Sequence, residues 1–216
     1  MDIFNSIKNF VYSILFPSTC VGCNKLSSNQ LCYECKKTLE NELSPKTTNV
    51  PNTTSKCISC FVYKEKVRDI IHNFKFKNQI NTSIILSHFL TIAIRKELKL
   101  YKFDIITYVP AYKTLHSRLY NTSKILAYEL SKNLGIPVKD CLIKNIDNKK
   151  QHKLSLLERQ KNVKGVYSCI EHLENKNIIL CDDIITTGAT LSECVKELHK
   201  FGANVVCVTV ARTPLN

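Results

Sequence analysis

Glycine, proline, tryptophan and methionine are all scarce in this chain of 216 residues, at 5, 6, 0 and 1. So little glycine and proline excludes a collagen-like or low-complexity protein, in which those residues dominate. Long apolar runs are missing too. Residues 1–16 carry Ile3, Phe4, Ile7, Phe10, Val11, Ile14 and Leu15, but Asp2 and Lys8 interrupt them. Crossing a bilayer takes about 20 apolar residues, and no secretory pattern is present. The spacing predicts an amphipathic helix covering the core or a neighbouring module, with membrane-surface contact as the lesser alternative. A cytoplasmic protein without a transmembrane segment is expected. Acidic charge is in deficit: 18 Asp and Glu against 31 Lys and Arg leave a net charge of +13. That balance suits anionic partners, whether phosphorylated metabolites, nucleic acid or an acidic membrane face. The basic residues are spread along the chain, with small clusters at Lys36-Lys37 and Lys149-Lys150. A general solubility effect accounts for such diffuse charge equally well.

Cysteine is abundant. Eleven is an odd number, and no export signal accompanies it, so a secreted disulfide framework is a poor explanation. Cys20-x2-Cys23 and Cys32-x2-Cys35 form two knuckles around a short polar loop, Asn24 to Leu31. Each knuckle can turn two thiolates onto one ion, and two knuckles close a tetrahedral site. Structural zinc is therefore expected at Cys20, Cys23, Cys32 and Cys35. Four thiolates leave no open position for catalysis, and a segment this small needs the metal to fold. A redox pair of C-x-x-C motifs is the alternative. Cys57-x2-Cys60 is a third knuckle without a partner. It fits a remnant of a second metal site, a metal shared across a dimer, or plain residues near a strand start. Pro51 to Ser55, just before it, reads as a flexible linker. Cys141, Cys169, Cys181, Cys194 and Cys207 lie in apolar runs and read as buried small hydrophobes.

The hydrophobic fraction of 44% and mean hydropathy of −0.11 describe a globular protein, long enough for one domain plus a small module. Residues 1–60 are assigned to the amphipathic helix and cysteine module, and 61–216 to the main domain. Beyond residue 60, strand and helix patterns alternate. Strands are expected at Phe61–Tyr63, Asp104–Val109, Val138–Ile143, Val166–Ile170, Ile178–Leu180 and Val205–Ala211. Helices are expected at Lys66–Lys75, Thr82–Leu98, Leu115–Leu134 and Leu191–Phe201. This alternation predicts an α/β fold with a mostly parallel sheet flanked by helices, and ligands beyond the carboxyl ends of its strands.

The richest stretch is Asn177 to Thr190, N-I-I-L-C-D-D-I-I-T-T-G-A-T. A buried strand runs into Asp182 and Asp183. A small-residue turn, Thr186-Thr187-Gly188-Ala189-Thr190, then opens a helix. Unpaired N–H groups at a helix start favour a phosphate, and adjacent carboxylates can accept hydrogen bonds from sugar hydroxyls. An ordinary capped turn is the bland alternative. The run resembles the 5-phosphoribosyl-1-pyrophosphate (PRPP) motif of the type I phosphoribosyltransferases. That resemblance implies that Asp182 and Asp183 hold the ribose hydroxyls, that Thr186 to Thr190 hold the 5′-phosphate, and that Mg²⁺ accompanies PRPP.

A cysteine-knuckle module ahead of such a domain narrows the likeness to the ComF/GntX family, which is linked to DNA uptake during competence. Val67-Arg68-Asp69-Ile70-Ile71-His72-Asn73-Phe74-Lys75-Phe76-Lys77 resembles the family's v-R-x-l-I-h-x-x-K-y segment. Arg118-Leu119-Tyr120-Asn121-Thr122 stands where the family reads R-G-F/Y-N-Q. Gln151 to Tyr167 resembles Q-x-x-L-s-x-x-x-R-x-x-N-v-x-g-x-F. Leu119 replaces Gly, Thr122 replaces Gln, His116 stands where Arg is common, and the loop after Pro110 is one residue short. In relatives that loop embraces pyrophosphate, so Lys113 and Arg118 are the candidates for that role. Residues 147–165 are expected to close over the site. Arg68, Lys75 and Lys77 lie in the family-like segment, though a solvated helix face explains them as well. Two functions follow from the resemblance. One is Mg-dependent phosphoribosyl transfer. The other is a non-catalytic sensor of PRPP or a nucleotide, working with single-stranded DNA and the uptake machinery. A homo-oligomer is compatible with both.

Overall fold

The structure, a computed structural model, describes residues 19–76, 80–98, 102–111, 120–145 and 165–214. The expected N-terminal amphipathic helix lies outside them. In chain order the elements are α1 (Tyr33–Glu42), β1 (Lys46–Asn49), β2 (Lys56–Val62), α2 (Glu65–Phe76), α3 (Thr82–Glu97) and β3 (Ile105–Tyr108). They continue with α4 (Thr122–Leu134), β4 (Leu142–Lys144), β5 (Tyr167–Cys169), β6 (Asn177–Ile185), α5 (Ala189–Lys200) and β7 (Asn204–Arg212). Five strands form one sheet in the order β1-β2-β7-β6-β3. β2, β7, β6 and β3 run parallel, and β1 caps the edge antiparallel to β2. β4 and β5 make a separate antiparallel pair.

Both faces of the main sheet are covered, which is why β6 and β7 read as nearly unbroken apolar runs. On one face, Ile179, Cys181, Val208 and Val210 pack with α2, α3, α4 and the cysteine module through Ile70, Phe74, Leu90, Leu126, Val21 and Leu39. On the other, Ile178, Leu180, Val205 and Cys207 pack with α5 and the β4–β5 pair.

The sheet begins earlier than the sequence pattern indicates. β2 runs straight through the boundary drawn at residue 60 and pairs with β7 from Lys56↔Val206 to Val62↔Arg212. β1 and β2 are a hairpin strand pair of the main sheet, so residues 46–60 pack as part of it. Pro51 to Ser55, read as a linker, is the turn between them. Its Ser55 Oγ lies 3.1 Å from His199 Nε2 at the end of α5.

The same strand decides the third cysteine pair. Residues three apart on a strand point to opposite faces, because side chains alternate with period two. Cys57 packs on the α5 side and Cys60 on the α2–α4 side, and both are fully buried. They cannot close on one ion, and they are not ligands of a second site. Burial pushes the Cys57 thiol up to about 12, with Thr209 and Ser59 pulling the other way. Replacing Cys60 by Ser puts a hydroxyl into a fully buried apolar cluster, an expected cost of about 1–3 kcal/mol. Chemical denaturation should show that loss while metal content per chain stays at the wild-type value.

Candidate functional site

β6 carries Asp182 and Asp183 as its fourth- and third-last residues before the chain turns into α5. β3 stops at Tyr108, paired with Cys181. From Asp182 onward β6 therefore has no strand on that flank, and the first turn of α4 meets it instead. Asn121 caps that helix: its Oδ1 accepts from Ser123 N and Lys124 N, and its Nδ2 donates to Val109 O at 2.9 Å. The cap ties α4 to the end of β3 and aims two hydroxyls at the carboxylates. Thr122 Oγ1 donates to Asp183 Oδ2 at 2.6 Å, and Ser123 Oγ donates to Asp182 Oδ1 at 2.7 Å.

A third group arrives from α2. Lys75 Nζ lies 2.6 Å from Asp183 Oδ1, and both side chains are largely buried. Burial and the adjacent Asp183 carboxylate push the Asp182 carboxyl up to about 7, against the pull of the Ser123 hydroxyl, Lys75 and the Asp183 N–H. The pair is thus a desolvated acidic couple compensated by one ammonium and two hydroxyls.

The following turn, Thr186 to Thr190, leads into α5. Gly188 caps α5 in the left-handed region, with φ 75. A Cβ there would lie 2.7 Å from Pro51 Cδ, so glycine is required twice over. Pro51 also accepts a 2.7 Å hydrogen bond from Ser192 Oγ, which fastens the β1–β2 turn to the start of α5. Ala189 N donates weakly to Thr187 Oγ1 at 3.4 Å. Thr190 is hydrogen-bonded to Tyr167 of β5, whose phenol burial holds well above its ordinary range.

Lys113 and Arg118, the pyrophosphate candidates, lie outside the described residues, as do residues 147–164. The helix expected from Leu115 begins at Thr122. Asn121-Thr122-Ser123 is itself a helix-start signal, and reading it that way would have exposed the two carboxylate donors. Lys75 had one signal, its place in the family-like segment, but a terminal lysine on an amphipathic helix is ordinary.

The cysteine module is the second constellation. The sulfurs of Cys20, Cys23, Cys32 and Cys35 all lie within 4.8 Å of one another, and Cys23 Sγ to Cys32 Sγ is 3.8 Å. Tetrahedral thiolates at the zinc–sulfur distance of about 2.3 Å stand roughly 3.8 Å apart, so the donor set fits such an ion. Cys20 Sγ accepts from the backbone N–H groups of Gly22 at 3.4 Å and Cys32 at 3.3 Å. Burial raises the Cys20 thiol, yet these donors outweigh it and bring it down to about 6. Gly22 leaves room for the sulfurs: a Cβ would meet Cys35 Sγ at 2.9 Å. The module docks on α2, where Asn73 Nδ2 donates to Val21 O at 2.7 Å and Lys66 Nζ to Gly22 O at 3.1 Å.

Comparison with known proteins now has a geometry to meet. Residues 121–214 match the phosphoribosyl transferase domain family. Competence protein F of Haemophilus influenzae is 29% identical over 89% of this chain and 96% of its own. The DNA utilization protein YhgH of Escherichia coli is 24% identical over 88% and 87%. Over most of its length the chain is thus similar to proteins named for competence and DNA utilization. A solved adenine phosphoribosyltransferase covers 83% of this chain and 89% of its own at 15% identity and a TM-score of 0.45. The fold joins a mostly parallel sheet, which includes the matched segment, to an N-terminal cysteine cluster able to hold a metal. Among the described residues, no helix is long and apolar enough to cross a membrane.

Gly22→Ala should crowd the four sulfurs without removing one. The expected outcome is metal lost to a chelator at concentrations at least tenfold lower than for wild type, followed by a colorimetric metal indicator. Unchanged retention would contradict a shared ion.

Proposed function

We propose that this protein is a member of the ComF family and binds PRPP, or a nucleotide of the same ribose 5-phosphate shape, at the carboxyl end of β6. One observation carries the reading. Two adjacent carboxylates, held by hydroxyls from the first turn of α4, sit at the same strand end as a threonine-rich turn that opens α5. Asp182 and Asp183 accept hydrogen bonds from the ribose hydroxyls, trading their links to Thr122 and Ser123 for those to the sugar. The backbone N–H groups and hydroxyls of Thr186 to Thr190 take the 5′-phosphate, where the dipole of α5 adds favourable charge. Gly188, pinned by Pro51, holds that turn open. Lys113 and Arg118 are assigned to the diphosphate.

The cysteine module holds zinc through Cys20, Cys23, Cys32 and Cys35, which fixes the module against α2. Mg²⁺ bound with the diphosphate would spread its negative charge; among the described residues, the grouping of donors able to hold one ion is the cysteine cluster. In the transfer reaction, the bond from C1 to the diphosphate oxygen breaks, a nitrogen of the acceptor bonds to C1, and pyrophosphate departs with the electron pair. The oxocarbenium-like transition state gains from a fixed ribose and stabilised leaving charge. Binding without turnover makes the same site a PRPP sensor.

The names of the relatives bring DNA into the reading. Tyr33, at the start of α1 in the module, is 73% exposed, and Lys37 Nζ lies 5.9 Å from its ring centre. An exposed aromatic beside lysines is what base stacking and phosphate contact require of a single-strand binder.

Isothermal titration with Mg-PRPP should show binding to the wild type. Asp182→Ala with Asp183→Ala should weaken it at least 100-fold, with the cooperative thermal transition kept. No heat at millimolar PRPP would end the proposal. A pyrophosphate-release screen over bases then separates enzyme from sensor. For single-stranded DNA, affinity should fall steeply as salt rises, and a flat response would remove DNA from the account.

A further inference from the structure

Lys75 has a place in this site that its sequence position does not announce. It sits in the last turn of α2, and that helix is anchored at several points. Asn73 and Lys66 hold the backbone of the cysteine module, and Tyr120 Oη donates to Phe74 O. The ammonium therefore reaches Asp183 from a braced element. Thr122 takes the other oxygen of Asp183.

The surroundings offer the carboxylate pair little other compensation. Cys181 lies beside both acids on β6, and Cys57 of β2, Cys194 of α5, Cys207 of β7 and Tyr167 of β5 face Asp182. Burial raises every one of these groups, so all are neutral at pH 7. Ser123 and Thr122 of α4 donate hydrogen bonds but carry no charge. Among the described residues, the cation in contact with the couple is Lys75. Two carboxylates this close cannot both ionise in a dry site without one.

We infer that Lys75 is the positioning residue of this site, supplying from α2 the charge that keeps the Asp182–Asp183 couple ionised and oriented toward a sugar diol. The ligand named here rests on the ribose-phosphate reading above; the electrostatic role does not. A lysine held only for packing would act on stability alone. A counter-ion acts on the pH at which the couple gains a proton.

The test separates these. Ligand-free protein carrying 13C-labelled aspartate carboxyls is titrated by NMR, with Asp182→Asn and Asp183→Asn assigning the signals. In Lys75→Met the midpoint of the couple should move up by about 1–3 pH units, the span over which a neighbouring opposite charge acts. Lys75→Arg should restore it. An unchanged midpoint in a Lys75→Met protein that still melts cooperatively overturns the inference. Mg-PRPP titration then reads the consequence. Lys75→Met should bind best near pH 9 and lose affinity roughly tenfold per pH unit below its own midpoint. A loss of the same size at every pH would overturn the charge role. If the wild type binds no Mg-PRPP, the ribose-phosphate reading fails, and the carboxyl titration still decides Lys75.

Discussion

Two adjacent carboxylates have been taken out of water at the end of a central strand, and most of the surrounding structure can be understood as compensation for that. An uncompensated buried charge costs several kcal/mol. Here the cost is met by an ammonium from α2 and by hydroxyls from the first turn of α4. Asp182 nevertheless stays raised, to about 7. The folded state holds its proton more tightly than the unfolded chain, so this group favours folding most at low pH. That contribution fades as pH rises through the unfolded value and is gone above the folded one. A residue that costs stability at neutral pH is kept for something other than stability, and a sugar diol is a ligand that uses the charge.

That requirement gives the cysteine module a structural task in the main domain. Its backbone carbonyls at Val21 and Gly22 receive Asn73 and Lys66 from α2, and Lys75 projects from the same helix. Side chains of the module, Val21, Leu31 and Leu39, join the core of that sheet face. An ion held among the four sulfurs would therefore brace a helix that ends at the carboxylates. On the opposite face the β1–β2 turn does the equivalent for the turn that opens α5, through Pro51 against Gly188 and Ser192. The two supports come from a stretch of chain that precedes the matched transferase domain.

The legible part of this design was local. Asn177 to Thr190 declared a strand, an acidic end and a helix start within fourteen letters, and the paired C-x-x-C knuckles declared a cluster of four sulfurs. What escaped reading depended on distant contacts. Cys57-x2-Cys60 has a ligand's spacing, but in a strand that spacing turns the two thiols to opposite faces. Pro51 to Ser55 has a linker's composition, yet its residues contact both ends of α5. Lys75 looks like any lysine closing an amphipathic helix, because nothing near it in sequence says that Asp183 lies 2.6 Å away. Thr122 and Ser123 were readable in principle, since Asn121 marks a helix cap; the apolar pattern upstream of them drew the helix start to the wrong residue.

The central claim is that Asp182, Asp183 and the turn Thr186–Thr190 form one ribose-phosphate site. A crystal structure of the protein with Mg-PRPP tests it most directly. The account predicts the 5′-phosphate on the backbone N–H groups of Thr186 to Thr190, with the ribose hydroxyls on the two carboxylates. PRPP bound elsewhere on the protein, with the Thr122 and Ser123 hydroxyls still on Asp183 and Asp182, would contradict it.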